Sequence, residues 1–208
     1  GAGDDTIEFG TGTIVAQTTN AAITITGGTG VDSIKRTGDL ANSTVASLGV
    51  VTYNFADGDS VVGAYDTITG YVNAETTGSL HGDILNIGTG ATVGTSIGST
   101  DFGTLLSHSL SNGEVAFDDA ATYNAAVIIN SSNLSDATGY LNANLEVNTT
   151  VSFEYDSTGN GSADSTFIYT NLASTASSGD TLIFLKSELG SGVTATAASV
   201  DDNFIVIG

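Results

Sequence analysis

The chain has 208 residues, of which 23 are acidic and three are basic, so its formal net charge is −20. This charge argues against binding to nucleic acid or to an anionic membrane surface, because there are almost no cations to neutralise phosphates. The absence of cysteine excludes disulfides, thiolate metal sites and cysteine nucleophiles. Because 40% of the residues are hydrophobic and Val, Ile and Thr are abundant, we expect a folded, mostly β chain without membrane insertion.

The first 36 residues contain a nine-residue repeat. The segments GAGDDTIEF at 1–9 and GGTGVDSIK at 27–35 place glycines, an aspartate and a large apolar residue at equivalent positions. This is the pattern of calcium-binding nonapeptides in parallel β structures. It predicts that glycines and aspartates of both copies hold Ca²⁺: Gly3, Asp5, Gly28, Gly30 and Asp32.

The spacing of the two aspartates carries a topological expectation. Asp5 and Asp32 are 27 residues apart, which is three repeat units, and the two middle units lack the aspartate. If two units form one coil, the two aspartates lie at opposite edges of the structure. Because residue 1 falls inside a repeat unit, we also expect the chain to be the C-terminal part of a longer protein.

Residues 45–90 are predicted to form strands joined by acidic turns. The turn Ala56-Asp57-Gly58-Asp59 lies near Asp66 in sequence, so Asp57 and Asp59 are a second candidate metal site. The same residues also suit an ordinary turn, and both interpretations remain open. Further along, the Gly-Asp turn that ends at Asp83 leads directly into the apolar strand ILNI.

Two segments in the middle of the chain are predicted to be helical, 101–111 and 134–147. In the second, Ser135 or Asp136 is a possible N-cap, and the apolar residues that share one face are Tyr140, Leu141 and Leu145. Between these segments, the acidic residues are expected to be solvated loop charge: Glu114, Asp118 and Asp119.

The clearest hairpin spans residues 147–172, because apolar residues alternate in both of its halves. Its loop, DSTGNGSAD, resembles the first nine positions of an oxygen-cage calcium loop. The predicted ligands are Asp156, Thr158, Asn160 and Asp164. Thr158 replaces the usual acid, and the bidentate Glu of that loop type is missing, unless Glu154 takes its place. The alternative is an ordinary polar hairpin loop.

The last part of the chain is also predicted to be β. TLIFL, at residues 181–185, is a core strand, and the chain ends with acidic residues followed by an apolar strand, DDNFIVIG.

No catalytic pattern is evident in the sequence. His81 lies in a Gly-Asp turn, His108 lies among serines, and no G-x-S-x-G motif is present. We therefore expect that the chain is not an enzyme.

At GGTGVDSI and GAGDDTIE the chain resembles the RTX (repeat-in-toxin) proteins, which are bacterial exoproteins that bind calcium. Its acidic-then-apolar end, about 195–208, resembles the C-terminal signals of type I secretion. The segments GDILNIGTG, YDSTGNGSAD and GDTLIFLKSEL resemble the C-terminal regions of RTX-containing surface-layer proteins. This resemblance implies export through a type I secretion apparatus, Ca²⁺ as the cofactor, and folding driven by calcium outside the cell.

The sequence therefore predicts a mostly β protein in two parts. Residues 1–36 form a short, RTX-like parallel β-roll, and residues 37–208 form a β-sandwich or β-solenoid-like domain with one or two short helices. The predicted function is a calcium-stabilised structural domain at the bacterial cell surface that forms homo-oligomers or polymers, with cell-surface polysaccharide as a possible partner. The alternative is a C-terminal secretion and folding module of an RTX hydrolase or adhesin whose active region lies upstream.

Overall fold

The computed structural model describes residues 1–10, 23–37, 51–71, 83–87, 91–172, 180–186, 197–201 and 204–207. Most of the regular structure in these segments is β, which confirms the predicted class. In chain order the elements are β1 (Thr6–Gly10), β2 (Ile23–Thr26), β3 (Ser33–Thr37), β4 (Val51–Phe55), β5 (Asp66–Thr69), β6 (Ile84–Ile87), β7 (Thr92–Val93), β8 (Ser107–Ser111), β9 (Glu114–Asp118), α1 (Leu134–Asn144), β10 (Thr149–Tyr155), β11 (Ser165–Asn171), β12 (Thr181–Lys186), β13 (Ala197–Asp201) and β14 (Phe204–Ile207).

The described strands form two sheets. The larger has the order β1-β3-β5-β12-β11-β10-β9-β8, with β7 also paired to β10, and the smaller has the order β13-β14-β6-β4-β2. The first six strands alternate between the sheets: β1, β3 and β5 are parallel neighbours in one, and β2, β4 and β6 are parallel neighbours in the other. Seven of the twelve pairings between described strands are parallel.

Two apolar clusters cover opposite faces of the larger sheet. The first lies between the two sheets and includes Ile34 and Ile183 of the larger sheet and Val51 and Leu85 of the smaller one. The second joins α1 to β9–β12. Because side chains alternate along a strand, β11 contributes Ile168 to the first cluster and its other apolar residues to the second. This explains why all seven residues of β11 are buried.

The hairpin predicted at 147–172 is confirmed as the antiparallel pair β10–β11, and the core strand TLIFL is confirmed as β12. The helix predicted at 134–147 is also confirmed, although it ends at Asn144. Its predicted apolar face, Tyr140, Leu141 and Leu145, is buried.

The predicted caps of α1 are wrong. Asn133 occupies the N-cap position and makes no side-chain capping bond. The Asp136 carboxylate instead accepts hydrogen bonds from the Thr104 N–H at 2.9 Å and from its hydroxyl at 2.8 Å. Asp136 therefore fixes the loop before β8 to the helix.

The helix predicted at 101–111 is wrong, because residues 107–111 form β8. This strand pairs with β9 in an antiparallel hairpin in which Ser111 is opposite Glu114. The two connecting residues, Asn112 (φ 51°) and Gly113 (φ 80°), both have positive φ. Such two-residue loops match the twist of paired strands, so the Asn-Gly step determines the structure here.

Within the described parts of the chain, no helix combines the length and hydrophobicity needed to cross a membrane.

Candidate functional site

The two Gly-Asp turns of the repeat are stacked directly on each other. The Gly3 N–H donates to the Thr29 carbonyl at 2.8 Å, and the Val31 N–H donates to the Asp4 carboxylate at 3.0 Å. The strands that follow the turns, β1 and β3, pair in parallel with Thr6 opposite Ser33. The turns are therefore equivalent positions in successive passes of the chain.

The aspartates at these turns, together with Asp66, form a hydrogen-bonded series that we call the aspartate ladder: Asp5, Asp32 and Asp66. Each residue immediately precedes, or begins, one of the parallel strands β1, β3 and β5. The Asp5 N–H donates to Asp32 Oδ1 at 2.8 Å, and the Asp32 N–H donates to Asp66 Oδ1 at 2.8 Å. In this way the carboxylates of Asp32 and Asp66 each accept a backbone N–H of the preceding pass.

The ladder ends at a serine. The Asp66 N–H donates to the Ser60 hydroxyl at 2.7 Å, and this hydroxyl donates to the Leu182 carbonyl at 2.5 Å. Ser60 thus connects the ladder to β12, the next strand of the sheet.

The ladder places negative charge in the interior. Asp32 and Asp66 are 1% and 0% exposed, and Oδ2 of each has no hydrogen-bond partner among the described residues. Burial raises the pKa of Asp66 to about 7; the hydrogen bond from the Asp32 N–H opposes this, and the charges of Asp32 and Asp59 add to it. Uncompensated buried carboxylates are costly, so protonation of Asp66 lowers the cost of burying it.

The prediction that Asp5 and Asp32 lie at opposite edges is wrong, because they are neighbours at the same edge of one sheet. The assumed coil of two nine-residue units was too short. Asp5 and Asp32 are separated by 27 residues, and Asp32 and Asp66 by 34. One complete pass through both sheets therefore needs three repeat units or more.

The repeat glycines are required by close backbone contact. Gly28 has φ +97°, and a Cβ on it would overlap the Gly1 carbonyl oxygen of the stacked turn. Gly30 approaches Gly3 in the same way, since a Cβ on it would lie 2.5 Å from the Gly3 carbonyl oxygen. A Cβ on Gly27 would overlap Asp32 Oδ2. The predicted residues Gly28 and Gly30 thus allow the turns to stack, whereas a Cβ on Gly3 would meet nothing within 4 Å and glycine is favoured there by its φ of +102°.

The second predicted site, Asp57 and Asp59, is divided by the structure. Asp57 is exposed, whereas Asp59 is buried and its carboxylate accepts the Ala56 N–H at 2.9 Å, which closes the turn. The negative charge of Asp59 contributes to raising the pKa of Asp66, so Asp59 lies close enough to interact with the ladder. The structure does not bring Asp57 to that position.

The loop between β10 and β11 is organised around Asp156. Its Oδ1 accepts backbone N–H groups of Thr158 (3.1 Å), Gly159 (2.6 Å) and Asn160 (3.2 Å), and its Oδ2 accepts that of Gly161 at 2.7 Å. The ring of N–H donors surrounds the carboxylate as it would surround a bound anion. These hydrogen bonds fix the loop around Asp156, and calcium binding by this loop stays a prediction.

The other predicted ligands of this loop also make hydrogen bonds within it. Asp164 Oδ1 accepts the Ser157 N–H at 2.9 Å, and Asn160 Oδ1 accepts the Ser162 N–H at 2.8 Å. Burial acts to raise the pKa of Asp156 and of Asp164, but the hydrogen bonds together outweigh it and lower both pKa values. Both groups are therefore held as carboxylates, the form that also binds metal.

A buried ion pair lies elsewhere in the fold and was not found from the sequence. Arg36 Nη1 contacts Asp83 Oδ1 at 2.8 Å and Oδ2 at 3.0 Å. The Asp83 carboxylate also accepts the Val51 N–H at 3.2 Å, which repeats the ladder geometry in the smaller sheet. No local signal marks this pair, because 47 residues separate its members.

The expectation that Asp118 is solvated is wrong, whereas Asp119 is exposed. Asp118 is buried, and its carboxylate accepts the N–H groups of Ala120, Asn124 and Ala125 at 3.1, 2.6 and 3.1 Å. It fixes the loop that follows β9.

In the segments that the structure describes, no group of three or more His, Asp or Glu side chains is arranged to hold a metal ion. Comparison with protein-family models, with curated proteins and with solved structures found no match. The resemblance to RTX proteins therefore rests on the sequence motifs alone.

Proposed function

We propose that this chain is a calcium-stabilised, non-enzymatic structural domain of a secreted bacterial cell-surface protein of the RTX type. Its role is self-assembly into a surface layer or an extracellular filament. The observation that carries the proposal is the aspartate ladder, in which two carboxylate oxygens, Asp32 Oδ2 and Asp66 Oδ2, are buried without a hydrogen-bond partner among the described residues.

The alternation of the first six strands between two parallel sheets supports the fold part of this proposal. In a parallel β-roll or solenoid, successive passes stack in register, as Thr6, Ser33 and Thr67 do. We infer that β1–β6 form such a coil, wider than two nonapeptides, and that β7–β14 extend and cover it. Residues 1–36 would then be the first passes of this coil.

Carboxylates favour a hard cation such as Ca²⁺, which takes oxygen ligands. Asp32 and Asp66 would hold it, with carbonyl oxygens and water completing the coordination. Asp5, Asp156, Asn160 and Asp164 remain the further candidates. The binding free energy of the cation becomes folding free energy, and a net charge of −20 opposes compaction until cations bind. Low cytosolic calcium would keep the chain unfolded for type I secretion.

Open sheet edges support the assembly part of the proposal. In the described strands, β1 and β8 end the larger sheet, and β2 and β13 end the smaller one. An edge strand whose outer side has no partner offers backbone groups to which a strand of another chain can pair. Pairing between different edges of successive copies generates filaments or layers when the rotation between copies does not close a ring.

Calcium titration of the full chain tests the proposal. In chelator at neutral pH we expect an expanded chain by circular dichroism, and in millimolar Ca²⁺ a folded β chain whose light scattering grows with time. Asp32→Asn should raise the calcium concentration needed for folding, whereas Asp119→Asn, an equal charge change at an exposed aspartate, should not.

Full folding in chelator at neutral pH contradicts the role of calcium. Folding with calcium into a stable monomer contradicts self-assembly and favours a secretion and folding module of a larger protein. Electron microscopy of the calcium-loaded sample distinguishes ordered polymer from amorphous aggregate.

A further inference from the structure

A groove of about 300 Å³ lies between β9, residues 126–129 and the loop around Gly161. The Val127 N–H donates to the Phe117 carbonyl at 2.7 Å, and the Asp156 N–H donates to the Ile129 carbonyl at 2.8 Å. The intervening segment therefore lies between the ends of β9 and β10, which pair directly at Ser152 and Glu114. The volume lies at the lower end of the range for small-ligand sites.

The groove combines apolar walls with two carboxylates. Ala126, Ile128 and Ala163 contribute apolar surface, and Ile128 is 42% exposed. Glu114 and Glu154 line the same groove. Ser152 is opposite Glu114, and Glu154 is two residues beyond Ser152, so both glutamates lie on the same face of the sheet.

The charge of these glutamates is not balanced by the chain itself. Burial, and then the negative charge of Glu154, raise the pKa of Glu114. The chain has three basic side chains and none of them lines the groove. Arg36 is paired with Asp83, Lys35 is on β3, and Lys186 is at the end of β12. A cation that pairs with these glutamates therefore comes from another molecule and not from this chain's own basic side chains.

We propose that this groove binds a lysine side chain of a partner protein. The alkyl part of the lysine covers Ala126, Ile128 and Ala163, and the ammonium group donates to the carboxylates of Glu114 and Glu154. A bare calcium ion fits less well, because it needs six to eight oxygen ligands and gains nothing from apolar walls. The inference does not depend on the calcium site of the aspartate ladder.

The test uses the ¹⁵N-labelled full chain and the peptide acetyl-Ala-Lys-Ala-amide, with binding followed by amide chemical shifts. We expect saturable shifts at residues 114–117, 126–129 and 161–163. Glu154→Gln should weaken binding about tenfold, since a charge-assisted hydrogen bond is lost. Glu154 is exposed, so this variant should fold, and Glu114→Gln provides a second measurement.

The matched control is Glu146→Gln, an equal charge change at an exposed residue between α1 and β10, which should leave binding unchanged. The same peptide with Nε-acetyllysine should not bind. Equal weakening by Glu146→Gln, equal binding of the acetylated peptide, or shifts spread over all acidic residues would show non-specific attraction and overturn the proposal. With the chain kept folded at a fixed Ca²⁺ concentration, saturation of the groove amides by additional Ca²⁺ at lower concentration than by the peptide would assign the groove to a metal and also overturn it.

Discussion

The buried ion pair between Arg36 and Asp83 gives the sharpest stability prediction. The two side chains are 4% and 1% exposed, and the guanidinium contacts both carboxylate oxygens, at 2.8 and 3.0 Å. In Arg36→Met the apolar part of the side chain is kept and the charge is removed. Asp83 would then be a buried carboxylate that still accepts the Val51 N–H but no longer contacts a guanidinium charge.

Removing one partner of a buried ion pair costs about 3–5 kcal/mol, because the other charge loses its compensation. For a chain of this length, that corresponds to a fall in the melting temperature of about 6–20 °C. In the double variant Arg36→Met/Asp83→Asn no charge is left uncompensated, and the asparagine oxygen still accepts the Val51 N–H. We therefore expect the double variant to be more stable than Arg36→Met.

Thermal and denaturant unfolding, followed by circular dichroism at fixed calcium concentration, measure these differences. Lys186→Met is the control, because it makes the same charge change at an exposed residue and should alter the free energy of unfolding by no more than about 0.5 kcal/mol. Two results would show that the ion pair does not stabilise the fold as predicted. One is a free energy of unfolding for Arg36→Met within about 1 kcal/mol of the wild-type value, and the other is a double variant no more stable than Arg36→Met.

Three further predictions concern the aspartate ladder and the Asp156 loop. Burial raises the pKa of Asp66 to about 7 in the folded state, so between about pH 4 and 7 the folded chain binds more protons than the unfolded chain. In calcium-free buffer the free energy of unfolding should therefore fall as the pH rises from about 4 to 7. Asp66→Asn should remove its share of that slope, up to about 1.4 kcal/mol per pH unit, in urea unfolding at several pH values; an unchanged slope would contradict the assignment. Gly27→Ala should lower the free energy of unfolding by at least about 2 kcal/mol in urea unfolding, because the added Cβ overlaps Asp32 Oδ2. In an Asp32→Ala background the decrease should be smaller, and an equal decrease in both backgrounds would refute the contact. In Asp156→Ala the backbone amides of residues 158–161 should exchange faster with solvent, because they lose the carboxylate that accepts their hydrogen bonds. The Ser162 amide, which donates to Asn160, is the control. Unchanged exchange at residues 158–161 would contradict the hydrogen bonds assigned to Asp156.

The elements that the sequence predicts well are those with strong local patterns. In β10 and β11 the alternation of Val151, Phe153, Phe167 and Tyr169 places one side chain after another in the cluster beneath α1. The face of α1 could be predicted for the same reason. The error at 101–111 arose because Ser, His and Leu are compatible with a helix, while the decisive signal, Asn112–Gly113, lies just beyond the segment.

The candidate site was only partly predictable, because its geometry depends on the length of each pass. The repeat identified Asp5 and Asp32, and their equivalence follows from the 27-residue spacing. Asp66 is 34 residues further on, which is not a multiple of nine, so the register gives no indication of it. Arg36 and Asp83 are joined only by the stacking of distant strands, and nothing in the neighbourhood of either residue encodes the partner.

The ladder links the stability of the fold to the charge of its surroundings. The carboxylates of Asp32 and Asp66 accept N–H groups of the preceding pass, so they cannot be replaced by apolar residues without leaving these donors unsatisfied. Yet both carboxylates also place charge in the interior, and their Oδ2 atoms meet no donor in the described structure. A proton relieves this charge in acid and a divalent cation would relieve it at neutral pH. Thus, the same residues that hold the passes together make folding depend on pH and, under our proposal, on calcium.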